Sequence, residues 1–209
     1  MANPINVLLV ENQTLVRLGI EAVLGHEPDI QIAAEADQAA DGIRLFAKTR
    51  PDVAIVSLRM PDSCAIDDLS SYFEVDPKAR IIVLAEHAGD AEIANALKKG
   101  ALGYICKDVS PQDLVNAIRK VSLGKKFIPG PVSAVLSEHV GSEELTPAEA
   151  RVLRMIVGGM SNKEIAFALD ISENTVKTHV KNIFDKIGVS DRTSAATTAI
   201  KRGLVRVDL

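Results

Sequence analysis

From Ile5 to about Leu123, short apolar runs alternate with segments whose apolar residues recur at helical spacing. Ile5–Val10 (INVLLV) reads as a buried strand. Thr14–Leu24 follows, with Leu15, Leu18, Ile20, Val23 and Leu24 at helix-like intervals. Ile30–Ala36 reads as a second strand and Ala39–Lys48 as a helix. Asp52–Leu58 is a third strand, opened by Pro51, and Arg80–Ala85 a fourth. Asp90–Lys99 is a helix and Leu102–Cys106 a fifth strand. Ser110-Pro111-Gln112-Asp113 sets a cap residue, a proline at the first helical position and an acid two places on, so a helix runs from there to about Leu123. Asp62–Asp76 is the least regular stretch, and a helix there has the weakest pattern. Five strands alternating with about five helices imply a parallel sheet covered on both faces.

The pattern then changes. Residues 125–143 hold Pro129, Gly130, Pro131 and Gly141 and read as a linker, with room for a short helix around Ser133–His139. No strand signal follows Leu145. Thr146-Pro147-Ala148-Glu149 and Ser161-Asn162-Lys163-Glu164 are capping boxes, and each opens a helix. Gly158-Gly159 closes the first. Ser172 caps a third helix that Gly188 ends, and Asp191 caps a fourth that ends at Gly203. The expected organisation is an α/β domain over 1–124, a linker over 125–143 and an all-α four-helix domain over 144–209.

Composition narrows the class. Of 209 residues 47% are hydrophobic and 25% charged, ordinary values for a folded chain. With 3% aromatics and no Trp, the core must be aliphatic. Apolar runs such as Ile81–Ala85 are far too short to span a membrane. No secretory signal pattern is visible, so Cys64 and Cys106 are expected to be reduced thiols in a cytoplasmic protein. Cys106 is expected in the core and Cys64 at the surface. Without a nucleophile–base pair, a metal-ligand cluster or a glycine-rich phosphate loop, an enzyme is the least favoured class.

Ser161–Leu169, a turn at Asp170-Ile171, and Ser172–Ile187 form a helix–turn–helix, the geometry that offers one helix to a DNA major groove. Val176, Val180, Ile183 and Ile187 make one stripe of the second helix, which must face the core. Asn174, Lys177, Thr178 and Lys181 lie opposite, with Asn182 at the edge. Lys can donate to guanine, Asn can bond adenine, and a Thr methyl can touch thymine. Asn162 and Lys163 suit phosphate contacts. The plain alternative is the solvated face of a small bundle. The stretch ELTPAEARVLRMIVGGMSNKEIAFALDISENTVKTHVKNIFDKIGVSDRTSAATTAIKRGLV, however, closely resembles the LuxR-type helix-turn-helix domain over about 60 residues without a gap. The resemblance implies double-stranded DNA as partner, base contacts from Lys177, Thr178 and Lys181, and a homodimer formed through the last helix, around Arg192–Arg202. His179 is read as structural or as a phosphate donor.

The first half, through VLLVENQTLVRLGIEAVL, ADQAADGIRLFAKTRPDVAIVSLRMP, ARIIVLAEH and KKGALGYICKDVSPQDLVNAIRKVSLG, resembles the receiver of NarL/FixJ response regulators. That implies a flavodoxin-like five-stranded parallel sheet of order 2-1-3-4-5 with its site at the carboxyl ends of the strands. Receiver chemistry uses two acids for Mg²⁺, an aspartate nucleophile, a Ser or Thr on the phosphoryl group, and a Lys. Here Glu11 and Asn12 stand after the first strand, Ser57 at the nucleophile position and Ala85 at the hydroxyl position. Lys107 remains, and Tyr104 takes the place of the switch aromatic. The resemblance thus implies a degenerate phosphorylation pocket with Mg²⁺ binding doubtful and no other cofactor. Asp52 sits at the wrong end of its strand, and Asp62, Asp67 and Asp68 are read as solvated. Lys107 is expected to pair with Glu11, an expectation that fails if their charges lie well beyond about 4 Å.

Three functions follow. The chain is a DNA-binding transcription regulator whose receiver works without phosphorylation, through dimerisation or by docking a protein or small-molecule ligand. Alternatively it is a two-component regulator phosphorylated on Ser57 or a neighbouring Asp, or the receiver is itself a ligand-sensing module. The net charge of −4 first argues against nucleic acid. It divides unevenly, with −5 on residues 1–140 and +1 on 141–209. So weak a field makes attraction to DNA depend on the placement of Lys163, Lys177, Lys181 and Lys186, and on dimerisation.

Overall fold

The computed structural model describes residues 3–87, 89–130, 132–134 and 144–205. The chain divides into two compact units. The first is a five-stranded parallel sheet of β1 (Ile5–Val10), β2 (Ile30–Ala36), β3 (Val53–Ser57), β4 (Ile81–Ala85) and β5 (Gly103–Cys106), in the order β2-β1-β3-β4-β5. Its helices are α1 (Thr14–Leu24), α2 (Ala39–Thr49), α3 (Ala65–Val75), α4 (Asp90–Lys98) and α5 (Pro111–Ser122).

Every residue of β3 and β4 is buried, as a parallel sheet covered on both faces requires. Alternation along the strands sorts them by face. Val7, Leu9, Ile55, Leu84 and Ile105 pack with Ile20 and Leu24 of α1 and Leu114, Ile118 and Val121 of α5. On the other face α2 comes close to β1: a Cβ on Gly42 would lie 2.7 Å from Val10 Cγ2 and 3.0 Å from the Tyr72 hydroxyl. Phe46 of α2 meets Tyr72 of α3 edge to face, their centroids 5.2 Å apart. Leu15 and Leu18 of α1 stay largely exposed.

The helix of weakest pattern does form: α3 holds because Ile66, Leu69 and Tyr72 recur on its core side, although its N-cap, Cys64, makes no side-chain cap. Two expectations need correction. Asp62 is not merely solvated: its carboxylate accepts the amide N–H groups of Ala39 and Ala40 at 3.0 and 3.1 Å, capping α2 from outside. Those amides hold the Asp62 carboxyl below the usual carboxylate range against the opposing effect of burial. Asp68 takes the Ser63 hydroxyl at 2.8 Å, and Asp67 lies 3.5 Å from the Lys99 ammonium. Beyond Leu123 the chain still packs on the first unit. Phe127 forms a bridge beside Gly103 and lies under the Lys120 ammonium, 5.1 Å from the ring centroid. The short helix expected around 133–139 lies, beyond Ala134, outside the described residues.

The second unit contains α6 (Pro147–Val157), α7 (Asn162–Leu169), α8 (Glu173–Ile187) and α9 (Arg192–Lys201). Both capping boxes form, at Thr146/Glu149 and Ser161/Glu164. Ser172 and Asp191 accept the amides of Thr175 and Ser194. The core is aliphatic: Val152, Leu153, Ile156, Ile165, Val176, Ile183, Ala195 and Ala199. Among the described residues no helix is long and apolar enough to cross a membrane.

Candidate functional site

Two places gather the residues singled out by sequence, one in each unit. The first is α8. Asp170 turns the chain at φ 54, where a short polar side chain is tolerated, and ends α7 three residues before α8 begins. Val176 and Ile183 are fully buried, Ile187 nearly so, and Val180 packs beside them. This stripe fixes the helix rotation and leaves Asn174, Lys177, Thr178, Lys181 and Asn182 exposed together. The Thr178 hydroxyl donates to the Asn174 carbonyl at 3.0 Å, so the outward feature of Thr178 is its methyl group. A groove of about 470 Å³ beside the helix is lined by Asn162, Lys177, Lys181 and Asp185 among others.

Lys163 is exposed, whereas Asn162 is half-buried and its side-chain oxygen accepts from Arg192 at 3.4 Å. Arg192 also donates to the Met160 carbonyl, tying the start of α9 to the helix–turn–helix. His179 is half-buried, short of the exposed row. Lys186 does not join the exposed cations: its ammonium lies 2.9 Å from Glu149 and 3.2 Å from the Glu144 carbonyl. The pairing partner is the capping-box glutamate of α6, 37 residues away in sequence. On α9, Ala195 and Ala199 face the core while Thr193, Thr197 and Ile200 are exposed.

The second place is the carboxyl edge of the sheet. Glu11, immediately after β1, has no exposed surface. Its carboxylate accepts the Gln13 amide at 2.7 Å and lies 3.0 Å from the ammonium of Lys107, immediately after β5. The expected pair is therefore within the limit set for it. Sequence reasoning missed two further members. Glu86, immediately after β4, lies 3.2 Å from the same ammonium and accepts from Gln13 Nε2 at 2.8 Å. The hydrogen bonds from Lys107 and Gln13 hold the Glu86 carboxyl below the usual range, against the opposing effect of burial.

Ser57, the last residue of β3, is 1% exposed, and its hydroxyl donates to the Arg59 carbonyl at 3.4 Å. Ala85 ends β4, level with Cys106, and its carbonyl accepts the Lys107 amide at 2.8 Å. Tyr104 is fully buried, and its hydroxyl donates to the His87 carbonyl at 3.2 Å. A cavity of about 300 Å³ opens here, lined by Asn12, Gln13, Ser57, Arg59, Met60, Pro61, Ala85, Glu86 and Lys107. Asp52 lies at the other end of β3, accepting the Asn6 backbone amide at 2.8 Å. Both cysteines are half-buried, neither in the core nor at the surface, and no disulfide joins them. Burial, then the Asp108 carboxylate, pushes the Cys106 thiol up, away from reactivity.

Comparison with known proteins covers both units. Residues 7–119 match the family described as response regulator receiver domain, and residues 143–199 match bacterial regulatory proteins, luxR family. The chain is 37% identical over 204 residues to the transcriptional regulatory protein MctR of Rhizobium johnstonii, covering 96% of this chain and 95% of that protein. It is 32% identical over 202 residues to the nitrate/nitrite response regulator protein NarL of Escherichia coli K12, covering 92% and 94%. Among solved structures it resembles RcsB of Salmonella enterica serovar Typhimurium bound to promoter P1flhDC with the phosphomimetic BeF3−. The TM-score is 0.76 at 27% identity, over 95% of this chain and 99% of that one. A structure of two RcsB dimers bound to two parallel DNAs gives 0.75 at 27% identity, with the same coverage.

Proposed function

Because the chain belongs to the NarL/LuxR family of response regulators, with a receiver domain and a LuxR-family helix-turn-helix domain, we propose that it is a transcription regulator that reads double-stranded DNA as a homodimer and whose receiver works without phosphorylation. DNA binding is carried by one observation: a stripe of buried Val176 and Ile183, with Val180 partly buried beside them, presents Asn174, Lys177, Thr178 and Lys181 as one exposed row on α8. Lys177 and Lys181 donate to guanine edges, Asn174 bonds adenine and Thr178 offers a methyl to thymine. Lys163 contacts phosphate. The DNA complexes of RcsB, including its dimers, support this reading.

Phosphorylation independence is supported by the strand-end residues. A serine hydroxyl cannot form an acyl phosphate, and the Ser57 hydroxyl faces a backbone carbonyl, with no base among its described partners. Ala85 has no hydroxyl for a phosphoryl oxygen. The donor set does not suit Mg²⁺ either. Glu11 is the one acid at the pair of positions after β1, Asn12 is neutral, and the Glu11 carboxylate is already neutralised by Lys107. On this reading the receiver works without Mg²⁺ at the strand ends.

The test is duplex binding by the full chain, using DNA selected from a random library, with and without acetyl phosphate and Mg²⁺. Unchanged affinity and unchanged intact mass are expected. A phosphate adduct that tightens binding overturns the reading in favour of an unusual acceptor. The cavity beside Ser57 favours a second role, docking a small-molecule ligand, which a ligand-dependent rise in melting temperature reports.

A further inference from the structure

We propose that Glu86 is an internal anion that occupies Lys107 in place of a phosphoryl group and so holds the segment after β4 in one conformation. The proposal rests on the reading that the receiver works without phosphorylation.

The Lys107 side chain is 11% exposed. An ammonium that far from water needs more than one anionic or dipolar partner to offset its lost hydration. Ser57 offers no charge, and Ala85 offers no side-chain oxygen. Glu11 alone would face the ammonium from the β1 side. Glu86 supplies the second carboxylate from the β4 side, at 3.2 Å, so Lys107 bridges two strand ends.

One oxygen does this work. Glu86 Oε1 receives both the Lys107 ammonium and the Gln13 side-chain amide. Gln13 in turn donates its backbone N–H to Glu11. A closed ring results: Glu11, Gln13, Glu86, Lys107. Its neighbours clamp the same short segment from β5. The Ala85 carbonyl accepts the Lys107 amide, and the His87 carbonyl accepts the Tyr104 hydroxyl. Three consecutive residues, Ala85 to His87, are thus held by three contacts from Tyr104 of β5 and from Lys107 just after it, and Glu86 is the one held through charge. Removing its carboxylate leaves Lys107 with Glu11 and an open position for a dissolved oxyanion whose oxygens accept from the ammonium and the Gln13 amide as the carboxylate did.

The experiment compares the full-length native chain with Glu86→Ala, Glu86→Gln and Lys107→Met by amide hydrogen exchange across residues 81–87 and 103–107. It is run in chloride, acetate and orthophosphate at matched ionic strength. Both Glu86 variants should exchange about tenfold faster in these segments, as expected for loss of a charge-assisted contact that gates local opening. Acetate or orthophosphate should slow Glu86→Ala back toward the native rate while leaving the native chain and Lys107→Met unaffected. Native-like exchange in both Glu86 variants overturns the proposal. So does faster exchange that neither anion reverses, since that marks a purely structural side chain. Glu86→Gln preserves volume and keeps the comparison valid if the alanine variant folds poorly. Intact mass after acetyl phosphate and Mg²⁺ is read on the same samples. A phosphate adduct on the native chain overturns phosphorylation independence, whatever the exchange rates show.

Discussion

The ammonium of Lys186, near the end of α8, lies 2.9 Å from the carboxylate of Glu149, in the first turn of α6. Glu149 is 5% exposed and also accepts the Thr146 amide at 2.8 Å. Burial pushes its carboxyl up, but the Thr146 amide and the Lys186 ammonium outweigh that and hold it below the usual glutamate range. A depressed folded-state value contributes stability that is fully present above the unfolded value and lost as pH falls through the folded one. The second unit should therefore lose melting temperature as pH drops below about 4.3, the ordinary glutamate value. Glu149→Gln should flatten that decline. Lys186→Met should cost about 1–3 kcal/mol at neutral pH, the penalty of a buried acceptor that loses its partner. Thermal unfolding from pH 3 to 7 checks both, and an unchanged slope in Glu149→Gln refutes the assignment.

Gly42 marks where α2 can approach β1. A methyl group there would meet Val10 Cγ2 at 2.7 Å. Gly42→Ala should destabilise the receiver by about 1–3 kcal/mol through overpacking, outweighing the helix propensity alanine adds. Denaturant unfolding measures this, and a stabilised variant contradicts the close approach.

The exposed row on α8 separates base readers from phosphate contacts. Lys177→Ala and Lys181→Ala should each weaken binding to a selected duplex by about 1–3 kcal/mol and relax the preference at one base position. Lys163→Ala should weaken all sequences alike and lower the salt slope by about one. Titrations at several salt concentrations distinguish the two. Uniform loss from all three variants would mean that α8 touches only the backbone.

Ile200 of α9 is half exposed, and Ala195 and Ala199 anchor the opposite side of that helix. Ile200→Asp should leave the melting temperature near native while weakening duplex binding about tenfold or more, because an exposed charge costs little in the monomer and much in an apolar contact between copies. Sedimentation on a two-site duplex gives the stoichiometry. Native affinity in this variant would place the dimer contact elsewhere.

Much of this architecture is legible in the chain because its signals are local. Ser110-Pro111, the Thr146/Glu149 and Ser161/Glu164 boxes, and Gly188 at φ 72 mark helix ends within four residues of themselves. α3, the helix of weakest pattern, opens without a capping side chain and is held by what Ile66, Leu69 and Tyr72 bury. What escaped was carried by distance. Asp62 caps a helix 22 residues upstream, and Glu86 meets Gln13 across 73 residues of chain. Lys186 looked like one more cation on a basic helix because Glu149 is 37 residues away. The exposed row on α8 was readable because one helical period suffices to place it, whereas ring closure at the strand ends depends on sheet order.

The chain has no tryptophan and two tyrosines, Tyr72 and Tyr104, both in the receiver. Burial, then the Asp68 and Asp62 carboxylates, pushes the Tyr72 phenol far above its usual range, so its ionisation should wait for unfolding. Ultraviolet emission excited through tyrosine thus comes from one half of the molecule while the DNA-reading half stays dark. The protein carries its own optical label for the receiver in Tyr72 and Tyr104, the latter already seated against the carbonyl of His87, and α8 adds no intrinsic tyrosine signal when duplex is added.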